Sequence, residues 1–202
     1  MQIKSFLAGA ALALLSLNAA QAAVITIQAD RDASVGDGAN NAWNVWHRWV
    51  GTNIMGTYSS LFGFDLGSLQ GKQISAVAFS AFHNFTDADG IIGAAFGLDN
   101  TWEPPSVASY DAIGPVLANN TASQATVNTY QTWKLGKPVT SDGRLTVVLS
   151  GDGWNDYEPL LRGLGHGAFL TVTYAEVPEP VSLGLLGVGL AGLAAARRRK
   201  PA

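Results

Sequence analysis

Apolar and polar residues alternate in five short runs of this chain, and a period of two is typical of β-strands with one buried face. The runs are Val24–Ala29, Ser60–Leu66, Ile74–Phe85, Leu145–Leu149 and Phe169–Tyr174. Glycine, asparagine, aspartate and serine, which favour turns, separate them. No window outside the two ends of the chain shows the 3.6-residue period of an amphipathic helix. The pattern therefore predicts an all-β domain.

The alternation also assigns side chains to faces and predicts how the strands pack. Residues two apart lie on the same face of a strand. The set predicted to face the core contains Phe62, Phe64, Leu66, Val77, Phe79, Ala81 and Phe85. Many short strands with turns between them predict an antiparallel β-sandwich, jelly-roll-like, in preference to a barrel. Asp65 lies next to the end of its run and is predicted to accept a backbone N–H in the next turn rather than to ligate a metal. The Asn-, Thr- and Ser-rich stretch 118–129 is predicted to be a loop entering a strand.

The amino-terminal residues differ from this pattern. Lys4 precedes an apolar stretch from Phe6 to Leu17, and Ala20-Gln21-Ala22 supplies small residues at alternate positions. A basic start, an apolar stretch and a small-x-small cleavage site are the three parts of a secretory signal peptide. The apolar stretch is short for an uncleaved anchor, which is the alternative. Residues 1–22 are therefore predicted to be removed, so that the mature chain begins at Ala23.

The carboxyl-terminal segment 177–202 contains three features in a fixed order. A Pro-Glu-Pro triplet is followed by a sixteen-residue apolar run, Val181 to Ala196, and then by a basic cluster. The run is slightly below the roughly 17–25 residues that span a bilayer comfortably, and Lys and Arg after such a run remain on the cytoplasmic side. The residues that carry the two polar features are Pro178, Glu179, Pro180, Arg197, Arg198, Arg199 and Lys200.

This tail resembles the PEP-CTERM sorting signal of Gram-negative bacteria. The resemblance implies that the protein is delivered to the inner membrane and held there by the tail. It also implies cleavage near Pro-Glu-Pro by an exosortase, followed by release or by transfer to the cell surface. An ordinary single-span anchor behind a proline-rich turn is the alternative interpretation.

Between the two ends, residues 23–176 are predicted to form the delivered domain. Its 154 residues are enough to bury a core without covalent staples. The chain has no cysteine, which excludes disulfides, thiol catalysis and thiolate metal sites. This region carries seven basic and fourteen acidic residues, a net charge of −7. Because an acidic domain repels a phosphate backbone, nucleic acid is excluded as a partner.

A second resemblance covers nearly all of residues 23–175. The matching stretches, in chain order, are Asp30-Arg31-Asp32-Ala33, Trp49-Val50-Gly51, Ser59 to Leu69, Ile74 to Val77, Thr101-Trp102-Glu103 and Leu170 to Tyr174. Together they resemble the DNRLRE-type, disaggregatase-related β-sandwich, which is similar in shape to carbohydrate-binding jelly rolls. The chain departs from that family before the last strand, where Asn155-Asp156-Tyr157-Glu158 replaces the family's Ser-Arg-Glu.

The six tryptophans suggest a sugar-binding surface, because flat aromatic rings stack on pyranose rings. Trp46, Trp102 and Trp154 are the candidate platform residues; the last two lie beside acidic residues in predicted loops, where binding groups concentrate. If the segment 43–50 is a strand, its tryptophans divide between two faces. One set is then expected to fill the core, with Arg48 stacked over a half-exposed Trp46. Trp133 is predicted to be a packed strand residue.

Clusters of acidic residues in glycine-containing loops suggest calcium, which takes six to eight oxygen ligands. The favoured cluster is Asp152, Asp156 and Glu158, ahead of those around Asp30 and Asp87. None completes the spacing of an EF-hand loop, and aspartates are also ordinary turn formers. We therefore expect no cofactor, and a structural Ca²⁺ in the Asp152 loop is the alternative.

Features that support catalysis are few. Glu103 and Glu158 are a conceivable glycosidase pair, although sequence separation gives no distance between them. The three histidines lack metal-ligand spacing, and His83 is predicted to be a core residue. We therefore expect an exported, non-enzymatic cell-surface or matrix protein with exopolysaccharide as its ligand. A small secreted polysaccharide-active hydrolase is the alternative.

Overall fold

The computed structural model describes residues 22–36, 47–54, 56–104, 110–138, 143–159 and 165–175. These residues contain two short 3₁₀ turns, Gly67–Leu69 and Gln124–Thr126, and otherwise strands and loops, so the all-β prediction is confirmed. None of the described residues forms a helix long and apolar enough to cross a membrane. The strands are β1 Ala22–Gln28, β2 Arg31–Gly36, β3 Arg48–Asn53, β4 Gly56–Asp65, β5 Gln73–Ala88, β6 Gly90–Gly97, β7 Ile113–Ala122, β8 Thr129–Gly136, β9 Arg144–Gly151, β10 Trp154–Tyr157 and β11 Phe169–Ala175.

The strands form one curled sheet rather than two separate ones. Its order is β1-β11-β5-β10-β3-β4-β9-β6-β7, with β2 beside β4 and β8 beside β5. The pairs around β3, β4, β5 and β9 are antiparallel. Residues 23–174 form one compact unit. The predicted signal peptide and sorting helix lie almost wholly in residues 1–21 and 176–202, outside the described residues.

The main core contains most of the apolar residues that the alternation placed on the inner faces of β4 and β5. Phe62 and Phe64 of β4 contact Phe79 of β5, with ring centroids 5.2 Å and 6.1 Å apart, and Trp133 of β8 lies 5.7 Å beyond Phe79. All four are at most 1% exposed. Fully burying a large apolar side chain contributes roughly 1.5–3 kcal/mol, so this aromatic row is a principal source of stability. The predicted packing of Trp133 is confirmed.

One core prediction is wrong. Phe85 was expected to share the inner face of β5, but its side chain is 49% exposed. Opposite β10 the register shifts, because Tyr157 pairs with His83 while the adjacent Asp156 pairs with Phe85. Asn84 is the extra residue of this β-bulge, so the residue that follows it lies on the opposite face from the one that strict alternation assigns. Strict alternation cannot reveal such a bulge.

The predicted loop at 118–129 is also wrong in its first part. β7 continues to Ala122 and pairs with β6. Its polar residues fit a strand because they bond outward: the Asn120 side-chain amide donates to the carbonyl oxygen of Thr132 on β8 at 3.0 Å. Asparagine and threonine therefore do not mark a turn here.

Candidate binding site on β3, β4 and β10

The site is built around an aromatic cluster, defined as His47, Trp49, Tyr58 and Trp154. β3 pairs with both β10 and β4, and Gly51 is the register partner of both Trp154 and Tyr58. Residues directly opposite in a sheet project to the same side, as do residues two apart on one strand. The pairing therefore gathers rings from three strands around a residue that has no side chain.

The rings of the aromatic cluster are in direct contact. Trp49 lies 4.9 Å from Trp154 and 5.6 Å from Tyr58, and Tyr58 lies 5.4 Å from Trp154. The His47 imidazole stacks on Trp49 at 5.4 Å with 29° between the planes. Tyr58 is 6% and Trp154 8% exposed, whereas Trp49 is partly exposed and the His47 side chain is 43% exposed. The two buried rings pack against Trp49, which also carries the His47 ring.

Two glycines make this contact possible. Gly51 has φ +113° and Gly153 has φ +72°, in the region that favours glycine. A Cβ atom on Gly51 would lie 2.1 Å from the carbonyl oxygen of Gly153. That same carbonyl accepts a hydrogen bond from the backbone N–H of Thr52 at 2.8 Å. The turn before β10 therefore lies directly against β3 and holds Trp154 beside Trp49.

A buried carboxylate orients the histidine. Asp156 is 1% exposed. Its Oδ1 accepts the backbone N–H of Arg48 at 2.8 Å, and its Oδ2 contacts His47 Nδ1 at 2.8 Å and accepts the Asn84 side-chain amide at 3.1 Å. A carboxylate can only accept hydrogen bonds, so the proton of neutral His47 is on Nδ1. The opposite ring atom, Nε2, is then an acceptor.

Behind the histidine lies a buried ion pair. Arg48 Nη2 contacts Asp32 Oδ1 of β2 at 2.5 Å, and the two side chains are 5% and 3% exposed. Arg48 Nη1 also donates to the carbonyl oxygen of His47 at 2.7 Å. Arg48 is thus buried against Asp32, and its predicted stacking over Trp46 stays a prediction. Trp46 itself lies outside the described residues.

The other platform candidate, Trp102, is located in a different cluster. It is 6% exposed, its Nε1 donates to Thr146 Oγ1 at 2.9 Å, and the Arg31 guanidinium lies 5.0 Å over its ring. Its environment is that of a core residue with a satisfied indole N–H. Trp154 begins β10 rather than lying in a loop, and it supports the aromatic cluster. The sequence interpretation missed Trp49 as an exposed ring, although its alternation with Val50 was a usable signal.

The three residues proposed for calcium lie in unlike environments. Asp152 is exposed, Asp156 is occupied by three N–H donors, and Glu158 is 2% exposed. Within the described ranges, no group of three or more His, Asp or Glu residues is placed to hold a metal ion. The oxygens of Asp156 instead bind the backbone and His47. Asp65 behaves as predicted, since its Oδ1 accepts the N–H of Gly67 at 2.7 Å.

The two carboxylates of the hydrolase alternative also have different neighbours. Glu103 faces Arg144 of β9 at 3.7 Å, with its side chain 61% exposed. Glu158 is buried directly after β10, and its backbone N–H donates to the carbonyl oxygen of Phe82 on β5 at 2.9 Å.

His83 is confirmed as a satisfied core histidine. Its Nδ1 contacts Thr126 Oγ1 at 2.9 Å and its Nε2 contacts Asn155 Oδ1 at 3.2 Å. Burial lowers the pKa of His83 below the usual value of 6.5, since desolvation disfavours the charged form. Nearby, burial raises the pKa of the Tyr157 hydroxyl, which donates to Gln131 Oε1 at 2.6 Å. Both groups are neutral parts of the core.

Comparison with known families identifies the tail. The profile of the PEP-CTERM protein-sorting motif matches residues 176–200, so the predicted sorting motif is confirmed. This motif supports an exported protein that is held at the membrane as an intermediate and processed by an exosortase. The DNRLRE resemblance expected for residues 23–175 is not supported. No curated protein matches the chain.

Two similar solved structures are a carbohydrate esterase and a virus particle. The family two carbohydrate esterase from Cellvibrio japonicus is 13% identical over 80% of this chain and 37% of that chain, with a TM-score of 0.27. The chain thus spans little more than a third of the esterase. The heated Israeli acute paralysis virus full particle is 10% identical over 83% of this chain and 77% of that chain, with a TM-score of 0.28. Neither likeness bears on function.

Proposed function

We propose that the delivered β domain is a non-enzymatic polysaccharide-binding module of the cell surface or extracellular matrix, with the aromatic cluster as its contact surface. Export and exosortase processing bring it to the place where exopolysaccharide accumulates. The observation that carries the proposal is the partly exposed Trp49 ring, held from below by Trp154 and Tyr58. No calcium ion is required by this arrangement.

The neighbouring rings hold Trp49 in place before a ligand binds. A sugar ring presents an apolar face that stacks on a flat aromatic ring. Immobilising a side chain on binding costs about 0.5–1.5 kcal/mol, and Trp49 avoids much of this cost because its neighbours already fix it. His47, oriented by Asp156, supplies a polar group at the edge of the same surface. A sugar can therefore place its apolar face on the Trp49 ring while one of its hydroxyls bonds to the oriented His47 side chain.

Binding is tested by measuring retention of the mature protein on a panel of immobilised polysaccharides. Trp49→Ala is expected to weaken binding at least about tenfold, since a tryptophan at the centre of an interface contributes more than most residues. Tyr130→Ala removes an aromatic side chain that is 40% exposed on β8 and should leave binding unchanged, because its ring contacts Phe82, His166 and Phe169 rather than the aromatic cluster. Equal effects of the two variants, or retention on no polysaccharide, would refute the proposed surface.

The same panel tests the absence of catalysis. No reducing ends should accumulate during incubation with the wild-type protein. Turnover that is lost in Glu103→Gln or Glu158→Gln would establish the hydrolase alternative instead.

Destination and processing are tested together by cell fractionation with mass spectrometry of the mature termini. The amino terminus is expected at Ala23, and the carboxyl terminus near Pro178–Pro180. An unprocessed full-length chain in the cytosol would contradict both targeting assignments.

A further inference from the structure

The contact with Asp156 determines which ring nitrogen of His47 can accept a hydrogen bond. His47 Nδ1 is held by Asp156 at 2.8 Å, which leaves Nε2 as a lone-pair acceptor on the other side of the ring. Within the described part of the chain, Nε2 has no hydrogen-bond partner. The His47 side chain is 43% exposed and stacks on Trp49. An unused acceptor therefore lies at the edge of the ring that we propose as the platform.

The charges around this acceptor favour a cationic ligand. The net charge of the side chains behind it is −1, since the two carboxylates of Asp32 and Asp156 are matched by one guanidinium, that of Arg48. The turns that meet at Trp154 add the exposed side chains of Asp87, Asp89 and Asp152. Those turns are in contact, since a Cβ on Gly90 would lie 2.2 Å from the carbonyl oxygen of Asp152. A carboxylated sugar would be repelled here and a protonated amine attracted.

We propose that the aromatic cluster selects a glycan containing unacetylated amino sugars. The Trp49 ring stacks on the sugar and attracts its ammonium group through the ring face, while His47 Nε2, on the ring edge away from Asp156, accepts one ammonium N–H. This inference rests on the proposed function and adds the ligand class. It assigns recognition to a positively charged unit rather than to the neutral hydroxyls that all polysaccharides share.

The test is calorimetric titration of the mature protein with three oligosaccharides at pH 7. The probes are a glucosamine hexamer, its fully N-acetylated counterpart and a uronate oligomer. The glucosamine hexamer should bind at least about tenfold more tightly than the acetylated one, because hydrogen bonds to charged groups are stronger than those between neutral groups. Equal affinity for the two hexamers, or tighter binding of the uronate oligomer, would overturn the inference.

Two variants separate recognition from folding. His47→Gln keeps a side-chain oxygen acceptor, so it should retain the preference for the glucosamine hexamer. His47→Phe keeps a flat ring without an acceptor, so it should lose the preference while retaining binding of the acetylated hexamer. A preference that persists in His47→Phe would refute the role of His47. Binding of neutral glycans alone overturns only this inference, whereas retention of no glycan overturns the proposed function as well.

Discussion

Replacing Arg48 by methionine removes one partner of the ion pair between Arg48 and Asp32 but keeps most of the side-chain volume. The pair is short, at 2.5 Å, and the side chains are 5% and 3% exposed. Removing one partner of a buried pair leaves an uncompensated charge and costs about 3–5 kcal/mol. A typical domain has a total stability of about 5–15 kcal/mol. At about 2–4 °C per kcal/mol for a domain of this size, the midpoint of thermal unfolding should fall by roughly 6–20 °C.

A matched control is available on the surface. Arg144→Met breaks the pair between Arg144 and Glu103, which is 3.7 Å long with side chains 48% and 61% exposed. Exposed pairs contribute about 0–1 kcal/mol, so this variant should unfold within a few degrees of wild type. The assay is chemical and thermal unfolding of the mature protein, monitored by tryptophan fluorescence.

A double variant isolates the charge. Adding Asp32→Asn to Arg48→Met removes the stranded carboxylate, so part of the lost stability should return. The two substitutions should then deviate from additivity by at least about 1 kcal/mol. If Arg48→Met costs no more than Arg144→Met, or if the two changes simply add, the buried pair does not have the role that its geometry indicates.

Three further predictions concern the interior of the domain. Tyr157→Phe should lower the free energy of unfolding by about 1–3 kcal/mol, because Gln131 loses its buried hydrogen-bond donor. Urea unfolding measures this, and an unchanged free energy would contradict the hydrogen bond between the two side chains. The folded-state pKa of His83 lies below 6.5, so the unfolded chain binds the proton first. The free energy of unfolding should therefore fall as the pH drops from 6.5 through that lowered pKa. A His83→Gln variant should show a weaker dependence of stability on pH, and an equally steep dependence would assign the effect to other groups. Gly51→Ala should destabilise the domain by about 1–3 kcal/mol, because the new methyl group meets the carbonyl oxygen of Gly153. The substitution should also change the tryptophan fluorescence of the aromatic cluster. A fluorescence spectrum and melting curve equal to those of the wild type would refute this.

The period of two was sufficient to predict an all-β domain and much of its core. Phe62, Phe64 and Phe79 are buried because alternation places them on one face and because burial of large apolar groups dominates folding. The order of proline, apolar and basic residues in the tail was likewise sufficient for the sorting motif, since each part acts locally. Such signals depend on neighbours along the chain and require no tertiary contact.

The site depended on pairing that sequence does not encode locally. Trp49 was visible in a tryptophan-rich stretch, but its contact with Tyr58 and Trp154 arises from the registers of β3 with β4 and β10. Asp156 looked like a calcium ligand among other loop acids, yet it is a buried acceptor for His47, which lies 109 positions earlier in the chain. What the residues alone determined is the all-β class, much of the core face of β4 and β5, and the sorting motif in the tail. Which charges meet and which rings face solvent was decided by the curled sheet, because those contacts join strands far apart in the chain.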